Sequence, residues 1–335
     1  MSKNIQSYNS DLQLRVKAII TEVSKGKVKA LCEFGEVSAK LKGTFYRNGS
    51  ELDMVPVVGD DVWLRYNDSG DSMITEICER RSSFVRTDFS GHAAGYVKTI
   101  QSQVLAANFD VVFILASLNQ EFNLKRIERY LATVLSSKAK AVIVMTKADL
   151  VDDCQKSVDL VQNEFPGIDC FAISSTTGFG IDHLDRYIQN GKIIVFLGSS
   201  GVGKSSLANR LADDDIMAVR NIRKKDDRGR HTTSIRQLIK LHNGAMIMDT
   251  PGIRELGLYD ANKGICEVFS DIEEYIRSCR FSDCTHRSEP GCKIQQMLIS
   301  KQLSPERWKR FLTLQKENEW GKKKSPPVKK QIQIR

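Results

Sequence analysis

Short runs in which apolar and polar residues alternate fill the amino-terminal part of the chain. LRVKAII, KVKALCEF, EVSAKLKG and DDVWLRY lie between Asp11 and Glu79, separated by glycine and polar turns. Alternation with a period of two predicts half-buried strands, and several short strands with frequent turns predict a small β-barrel. VPVVGDDVWL (55–64), a Gly-Asp turn entering a strand, is compatible with a five-stranded OB barrel, one option among several small barrels.

Near-continuous apolar runs alternate with helical patterns in the middle of the chain. The apolar runs are VVFILAS (111–117), AVIVM (141–145), FAIS (171–174), KIIVFLG (192–198) and AMIMD (245–249). The helical patterns are LKRIERYLATVL, with Leu124, Ile127, Leu131 and Val134 on one face, a segment near IDHLDRYI, and a segment opened by a Gly-rich loop. This alternation predicts a mainly parallel α/β sheet with helices on its faces.

The remaining segments divide the chain. Arg80–Thr99 has no helical period and is expected to be a linker. After Gly257 the strand patterns stop, helical patterns surround a Cys/His cluster, and GKKKSPPVKK is expected to be a disordered tail. We therefore expect a barrel with its linker over 1–90, an α/β domain over 91–257, and a helical domain with a basic tail over 258–335.

Composition narrows the function classes. No window approaches the roughly 20 apolar residues of a membrane span, and the polar start MSKNIQSYNSDLQLR lacks the apolar core of a signal peptide. Eight cysteines in 335 residues are too sparse for a disulfide scaffold. We therefore expect a cytoplasmic protein, with no membrane contact.

Net charge favours a polyanionic partner. The chain carries +9, and RNIRKKDDRGR (220–230) and the segment 321–335 hold six Lys or Arg each. Phosphates attract such segments whatever the nucleotide sequence, although solvated surface is the alternative reading of either segment alone.

GSSGVGKS (198–205) fits the phosphate-loop pattern G-x-x-x-x-G-K-[ST] directly between an apolar strand and a helix. Glycines let backbone N–H groups converge on phosphate oxygens, Lys204 neutralises phosphate charge, and the Ser205 hydroxyl can ligate Mg²⁺. MDTPG (248–252) ends another apolar strand, where Asp249 can hold Mg²⁺ through water and the Gly252 N–H can meet the γ-phosphate. Between them GRHTTS (229–234) is placed to supply a threonine hydroxyl to Mg²⁺; Thr233 is preferred over Thr232.

TKAD (146–149) follows an apolar strand, where a carboxylate can accept hydrogen bonds from guanine N1–H and the exocyclic amine. Adenine lacks that pair of donors, so Asp149 would select GTP over ATP. ISS (173–175) ends the next strand as a second base-side loop. The predicted nucleotide-binding residues are Thr146, Lys147, Ala148, Asp149, Ser174, Ser175, Gly198, Ser199, Ser200, Gly201, Val202, Gly203, Lys204, Ser205, Ser206, Asp249 and Gly252.

These motifs stand in an unusual order, because ordinary GTPases run from phosphate loop to switches to base motif. A parallel sheet depends on which strands are neighbours and not on where the chain begins. A circular permutation therefore builds one nucleotide pocket from both motifs.

Cys279, Cys284, His286 and Cys292 are spaced C-x₄-C-x-H-x₅-C. Three thiolates and one imidazole match a closed structural Zn²⁺ site with no open position for catalysis. The alternative is chance clustering of reactive or buried thiols.

In this order, VVGD, TKAD, the serine pair, GSSGVGKSS, GRHTT, DTPG and the Cys₃His cluster resemble the RsgA (YjeQ) family of circularly permuted bacterial GTPases, which act in late maturation of the small ribosomal subunit. The resemblance covers nearly the whole chain. It implies an OB domain, a permuted GTPase domain, one zinc ion in the C-terminal domain, and hydrolysis of GTP to GDP with Mg²⁺. It further implies that the small (30S) ribosomal subunit and its rRNA are partners that stimulate hydrolysis, which is coupled to maturation and to release. We expect a monomer.

Two positions bear on affinity and rate. Thr146 stands where the family usually has Asn; it keeps a hydroxyl but loses the longer amide that ties the base loop to the phosphate loop, so somewhat weaker guanine binding is expected. Ile253 follows DTPG where Ras-like enzymes carry a water-orienting Gln, which predicts slow intrinsic turnover. His231, close to Thr233 in the chain, is then the candidate water-activating group; Thr233 and Lys204 are the other predicted catalytic residues. The alternative roles of His231 are a contact with RNA phosphate and an ordinary loop residue.

Two other functions fit part of the sequence. A phosphate-loop ATPase or small-molecule kinase explains GSSGVGKSS but leaves TKAD, the barrel and the basic tail unaccounted for. A non-enzymatic RNA-binding protein with a vestigial pocket explains the charge and the barrel, but intact Lys204, Ser205 and Asp249 argue against decay.

Overall fold

The computed structural model describes residues 14–24, 27–42, 55–88, 101–119, 122–213, 236–249 and 261–323. The strands in these ranges are β1 (Arg15–Ser24), β2 (Lys27–Cys32), β3 (Gly35–Leu41), β4 (Asp61–Arg65), β5 (Ser72–Ile77), β6 (Ser83–Asp88), β7 (Gln101–Ala107), β8 (Val111–Ser117), β9 (Lys140–Thr146), β10 (Asp169–Ala172), β11 (Ile193–Leu197), β12 (Arg236–Lys240) and β13 (Met246–Asp249). The α-helices are α1 (Leu124–Ser136), α2 (Gln155–Glu164), α3 (Lys204–Ala212), α4 (Asn262–Val268), α5 (Ser270–Arg277), α6 (Lys293–Ile299) and α7 (Pro305–Lys323). Within these ranges no helix combines the length and the apolar character that crossing a bilayer requires.

Strands β1 to β5 form a closed barrel. They follow the order β1-β2-β3-β5-β4, and the additional pairing of β1 with β4 closes the ring. Alternate residues point inward, and Ile20, Val62, Leu64 and Ile74 are fully buried in the barrel core. The OB-type barrel predicted from the alternating pattern is confirmed.

The α/β sheet runs in the order β10-β9-β8-β11-β13, with all neighbours parallel, and β12 is antiparallel on β13. Side chains of α1 and α2 pack on one face of the sheet and those of α3 on the other. Strand β8 alone separates β9, which ends in the base motif, from β11, which ends in the phosphate loop. Because parallel strands end at one edge, both motifs reach the same edge despite their order in the chain.

The VVGD turn (57–60) packs the barrel against strand β7. A Cβ at Gly59 would lie 2.0 Å from the Ala107 carbonyl oxygen, and Gly59 has a φ of +93°, so the close approach requires glycine. The buried Asp60 carboxylate accepts two hydrogen bonds from Arg80, at 2.7 and 2.8 Å. The barrel strand β1 also pairs with β12, Glu22 opposite Gln237, so barrel and α/β sheet are continuous.

Two predictions about secondary structure are wrong. The predicted linker contains β6, which pairs with β7 across the domain boundary predicted at residue 90, and Phe84 is buried there against Phe109 with ring centroids 4.3 Å apart. Residues 83–88 have no helical period, but they form a strand because they pair with β7. Near IDHLDRYI there is only a 3₁₀ turn, Ile181–Leu184, which buries Leu184 without a continuous helix.

The C-terminal helices pack on α1 and α2. The backbone N–H of Gly264 donates to Ser136 at 2.9 Å, and a Cβ at Gly264 would meet the Ala132 carbonyl at 1.9 Å, so α4 lies directly against α1. Helix α7 also contacts α1 and α2, through Arg310 and Arg307. The helices after residue 260 are thus docked on α1 and α2, on the face of the sheet opposite α3.

Arg307 and Arg310 form a charged network at this junction. Arg310 bonds to Glu128 of α1 at 2.7 Å and contacts Glu164 of α2, while Arg307 bonds to Glu164 at 2.8 Å and to Asp271 at 2.7 Å. Burial raises the pKa of Glu128, and Arg310 opposes that rise. Removing Arg310 would leave the buried Glu128 without its partner, a strongly destabilising change, so this network stabilises the junction.

Candidate functional site

The phosphate loop is the turn between β11 and α3. Gly198 packs so tightly that a Cβ would lie 2.8 Å from the Leu115 carbonyl oxygen, and Gly203 caps α3 with a φ of +105°. The Lys204 ammonium donates to the carbonyl oxygens of Gly198 and Ser199, at 2.7 and 2.5 Å. The lysine therefore lies over the loop that a nucleotide phosphate would enter, at the start of a helix whose dipole favours an anion.

The base motif follows β9. Lys147 has a left-handed backbone with a φ of +62°, a 3₁₀ turn Ala148–Leu150 follows, and the Asp149 side chain is exposed. The Ala148 N–H donates to the Ile173 carbonyl at 3.0 Å, which joins this turn to the loop that begins at buried Ser174. The two base-side segments predicted from sequence therefore lie side by side.

A hydrogen bond connects the base side to the phosphate side. The Thr146 hydroxyl donates to the Val202 carbonyl oxygen at 2.6 Å, in the middle of the phosphate loop. The Thr146 hydroxyl thus reaches the phosphate loop directly, without the longer amide that the family usually has there. The expected weaker guanine binding stays a prediction. Val202 itself is buried, so the bond forms away from water.

Several predicted residues cannot be placed in this geometry. His231, Thr232, Thr233, Gly252 and Ile253 lie outside the described residues, as does the basic flank 220–230. Asp249 ends β13, which pairs in parallel with β11, so its backbone lies at the same sheet edge as the phosphate loop. Their roles stay predictions.

The Cys/His cluster comes together in the C-terminal domain. One ligand atom from each of Cys279, Cys284, His286 and Cys292 lies within 4.8 Å of the others. His286 Nδ1 is 3.6 Å from the sulfur atoms of Cys279 and Cys292. Tetrahedral zinc with thiolate ligands separates its ligand atoms by about 3.5 Å, so the donor set and its spacing fit zinc.

The surroundings of the Cys284 thiol change its pKa. Burial, with added effects of Cys292 and Cys279, raises the pKa of the Cys284 thiol to about 11. A bound cation would supply the positive charge that favours ionisation of Cys284.

Sequence reasoning missed Glu289, which shapes the loop that carries His286. Its carboxylate accepts hydrogen bonds from the N–H groups of Thr285, Arg287 and Ser288, at 2.9, 2.9 and 3.1 Å, and from the Thr285 hydroxyl. The hydrogen bonds, that from the Thr285 hydroxyl above all, hold the pKa of Glu289 at about 2. The signal that could have found it is an acid inside the Cys/His segment.

The cluster also touches the domain junction. The His286 ring meets the Trp308 ring edge-on, with centroids 5.8 Å apart, and Trp308 lies between Arg307 and Arg310 on α7. The candidate metal centre is therefore packed against the helix that anchors the domain.

Comparison with known proteins agrees with this architecture. A family model for the RsgA GTPase matches residues 77–259. The small ribosomal subunit biogenesis GTPase RsgA of Methanosarcina acetivorans is 36% identical over 331 residues, which cover 96% of this chain and 87% of the relative. The protein of the same name in Streptomyces avermitilis is 40% identical over 271 residues, covering 80% of this chain and 71% of the relative.

Two solved structures share the fold. The crystal structure of YjeQ from Thermotoga maritima has a TM-score of 0.66 at 25% identity and covers 90% of this chain and 97% of that chain. YloQ, described as a circularly permuted GTPase, has a TM-score of 0.61 at 22% identity and covers 96% of this chain and 100% of that chain. The permuted order of motifs predicted from the sequence is confirmed.

Proposed function

The chain belongs to the RsgA GTPase family and is a GTP-hydrolysing enzyme, and we propose that its hydrolysis serves late maturation of the small (30S) ribosomal subunit and its own release from it. The observation that carries the nucleotide assignment is the 2.6 Å bond from Thr146 to Val202, which joins a guanine-reading segment to a phosphate loop. The names of the relatives support the ribosomal part of the proposal.

We assign the nucleotide contacts as follows. The Asp149 carboxylate accepts hydrogen bonds from the guanine N1–H and the exocyclic amine, while Ser174 and Ser175 lie in the loop beside it. Backbone N–H groups of the phosphate loop and Lys204 hold the phosphates. Ser205, Thr233 and, through water, Asp249 are the residues that would hold Mg²⁺, which would supply positive charge to the phosphates.

A further group must activate the attacking water. We assign this role to His231, which would accept a proton from that water near the γ-phosphate when the protein is docked on the subunit. The basic residues 220–230 support docking to rRNA, since phosphate contacts hold a loop whatever the RNA sequence. Hydrolysis then depends on the bound subunit.

The Cys₃His cluster would hold one zinc ion that stabilises the C-terminal domain. Four protein ligands leave no coordination position for a substrate, which supports a structural role. We further propose that the protein works as a monomer in the cytoplasm, where it binds small subunits during their assembly.

Steady-state GTP hydrolysis with and without purified small subunits tests the proposal. We expect the subunit to raise the rate by more than about tenfold, which corresponds to about 1.4 kcal/mol of barrier. Lys204→Ala serves as the inactive control, because its fold is kept and its phosphate contact is lost. A rate that is the same with and without subunits would refute the ribosomal part, and activity retained in Lys204→Ala would refute the site.

A further inference from the structure

The loop Ser174–Gly180 beside the guanine-reading turn is held from within and at its base. Ser174 N–H donates to the Phe179 carbonyl and Gly178 N–H donates to the Ser174 carbonyl, both at 2.9 Å. A Cβ at Gly180 would lie 2.3 Å from the Ala172 carbonyl oxygen, so the end of the loop is pressed onto β10. These contacts fix the two ends of the loop against the sheet.

The outer part of the same loop meets an arginine of the phosphate-loop helix. A Cβ at Gly178 would lie 2.6 Å from Nη2 of Arg210 and 3.6 Å from its central guanidinium carbon. The guanidinium therefore lies close to the backbone at Gly178. Gly178 also has a φ of +86°, so the contact and the turn depend on the same residue.

The direction of helix α3 explains how Arg210 reaches this loop. Helical side chains tilt toward the amino end of their helix, and the amino end of α3 is the phosphate loop. Arg210, in the last turn, thus extends back along α3 toward the edge where the base-side loop lies. Below it, Leu207 and Ala208 pack in one apolar cluster with Ile173 and Leu184, which flank the loop.

A planar guanidinium suits this contact. It meets the loop with one end, since Nη2 is about 1 Å nearer than the central carbon to the place a Gly178 Cβ would occupy. Arg210 is exposed overall, so its contact with Gly178 constrains the loop without a buried charge. An ammonium group on a flexible stem lacks the rigid, planar fork of the guanidinium.

We propose that Arg210 is a positioning residue for guanine recognition, bracing the loop Ser174–Gly180 so that the N–H groups of Ser175 and Thr176 face O6 of the base. The N–H groups of Ser174, Thr177, Gly178 and Phe179 already donate within the loop. This inference rests on the proposed guanine site and adds to it a second connection between phosphate side and base side. Thr146 makes the first connection, through Val202, and Asp149 reads the N1–H and amine edge. Arg210 supports the reading of the remaining polar atom, O6, where adenine carries an amine.

Binding of GDP and of 6-thio-GDP tests the proposal, because the two differ only by sulfur in place of O6 and sulfur is the weaker acceptor. We expect wild type to bind GDP more tightly than 6-thio-GDP. In Arg210→Ala, GDP should weaken by about tenfold, the scale of one positioned hydrogen bond, and the ratio of the two affinities should fall toward one. The rate at saturating GTP should stay within about twofold of wild type. Arg210→Lys should behave like Arg210→Ala.

Arg277→Ala, at an exposed arginine in the last turn of α5, is the matched control and should leave both affinities unchanged. An Arg210→Ala protein with wild-type GDP affinity, or with both ligands weakened equally, would overturn the inference. So would a wild type that binds 6-thio-GDP as well as GDP, while still preferring GTP to ATP. If wild type fails to prefer GTP to ATP, the guanine site itself is wrong, and the two failures are thereby distinguished.

Discussion

The hydroxyl of Thr146 donates a 2.6 Å hydrogen bond to the carbonyl oxygen of Val202, 56 residues further along the chain. Both groups are buried, at the point where the strand β9 ends and the phosphate loop turns. The bond fixes the distance between the segment that reads the base and the loop that holds the phosphates. The parallel strands bring the two motifs to one edge, and this bond connects them.

Replacing Thr146 by Val removes the hydroxyl and keeps the shape of the side chain. We expect the affinity for GTP and GDP to fall by about tenfold, because the buried Val202 carbonyl loses its partner. Thr146→Ser keeps the hydroxyl and is the matched control. Titration of labelled GDP measures both, and wild-type affinity in Thr146→Val would show that the bond does not position the pocket.

Replacing Glu289 by Ala removes the acceptor that gathers three backbone N–H groups around the His286 loop. Outer residues that orient metal ligands typically contribute about 10- to 100-fold in metal affinity. We therefore expect zinc to leave Glu289→Ala at least about tenfold faster, as followed with a zinc-binding dye at neutral pH. Glu267→Ala, at an exposed position in α4, should release zinc at the wild-type rate.

Asp169 provides a pH-dependent contribution to stability. Its carboxylate accepts from the Tyr187 hydroxyl at 2.7 Å and lies 3.0 Å from the Lys140 ammonium. Partial burial raises the pKa of Asp169, but Tyr187 and Lys140 outweigh burial and hold this pKa below its ordinary value of 3.8. The folded state thus binds the proton less tightly than the unfolded state, so this stabilisation is present above pH 3.8 and is lost as the pH falls through the folded value.

Asp169→Asn should therefore lower the melting temperature at neutral pH, and the difference from wild type should shrink as the pH is lowered below 3.8. Asp152→Asn, in an exposed turn, is the control and should leave the melting temperature unchanged throughout. A difference between Asp169→Asn and wild type that does not vary with pH would contradict the assigned charge contacts.

His231→Ala tests the proposed water activation. We expect this variant to keep GTP affinity and subunit binding while it loses most of the ribosome-stimulated rate. Charge reversal in the basic segment 220–230 should instead weaken docking in a salt-dependent manner. Full stimulation of His231→Ala at saturating subunit would pass the catalytic role to another group, such as one contributed by the ribosome.

The sequence predicts best those features whose cause is local. The strand β8 is an uninterrupted apolar run buried in the sheet, and the phosphate loop is a fixed spacing of glycines between one strand and one helix. By contrast, β6 and β12 are short strands with polar residues, and each is ordered by a partner strand. Their pairing depends on contacts that no periodicity within the segment reveals.

Contacts between distant residues were equally hidden. The contact between Arg210 and Gly178 requires knowing that α3 runs beside the base-side loop. Likewise, the acceptor of the Thr146 hydroxyl is a backbone carbonyl, which has no signature in the sequence. The sequence motifs therefore predict which residues belong to the site, while the fold determines which of these residues are in contact.

Competition of GTP and ATP for the site against labelled GDP tests the central claim, that a permuted chain builds one guanine-selective pocket. We predict that GTP displaces the label at concentrations at least about 100-fold below those of ATP, because Asp149 pairs with two donors that adenine lacks. In Asp149→Asn the affinity for GTP should fall and that for xanthosine triphosphate, whose O2 accepts from the amide, should rise. Equal displacement by ATP and GTP in wild type would contradict the claim.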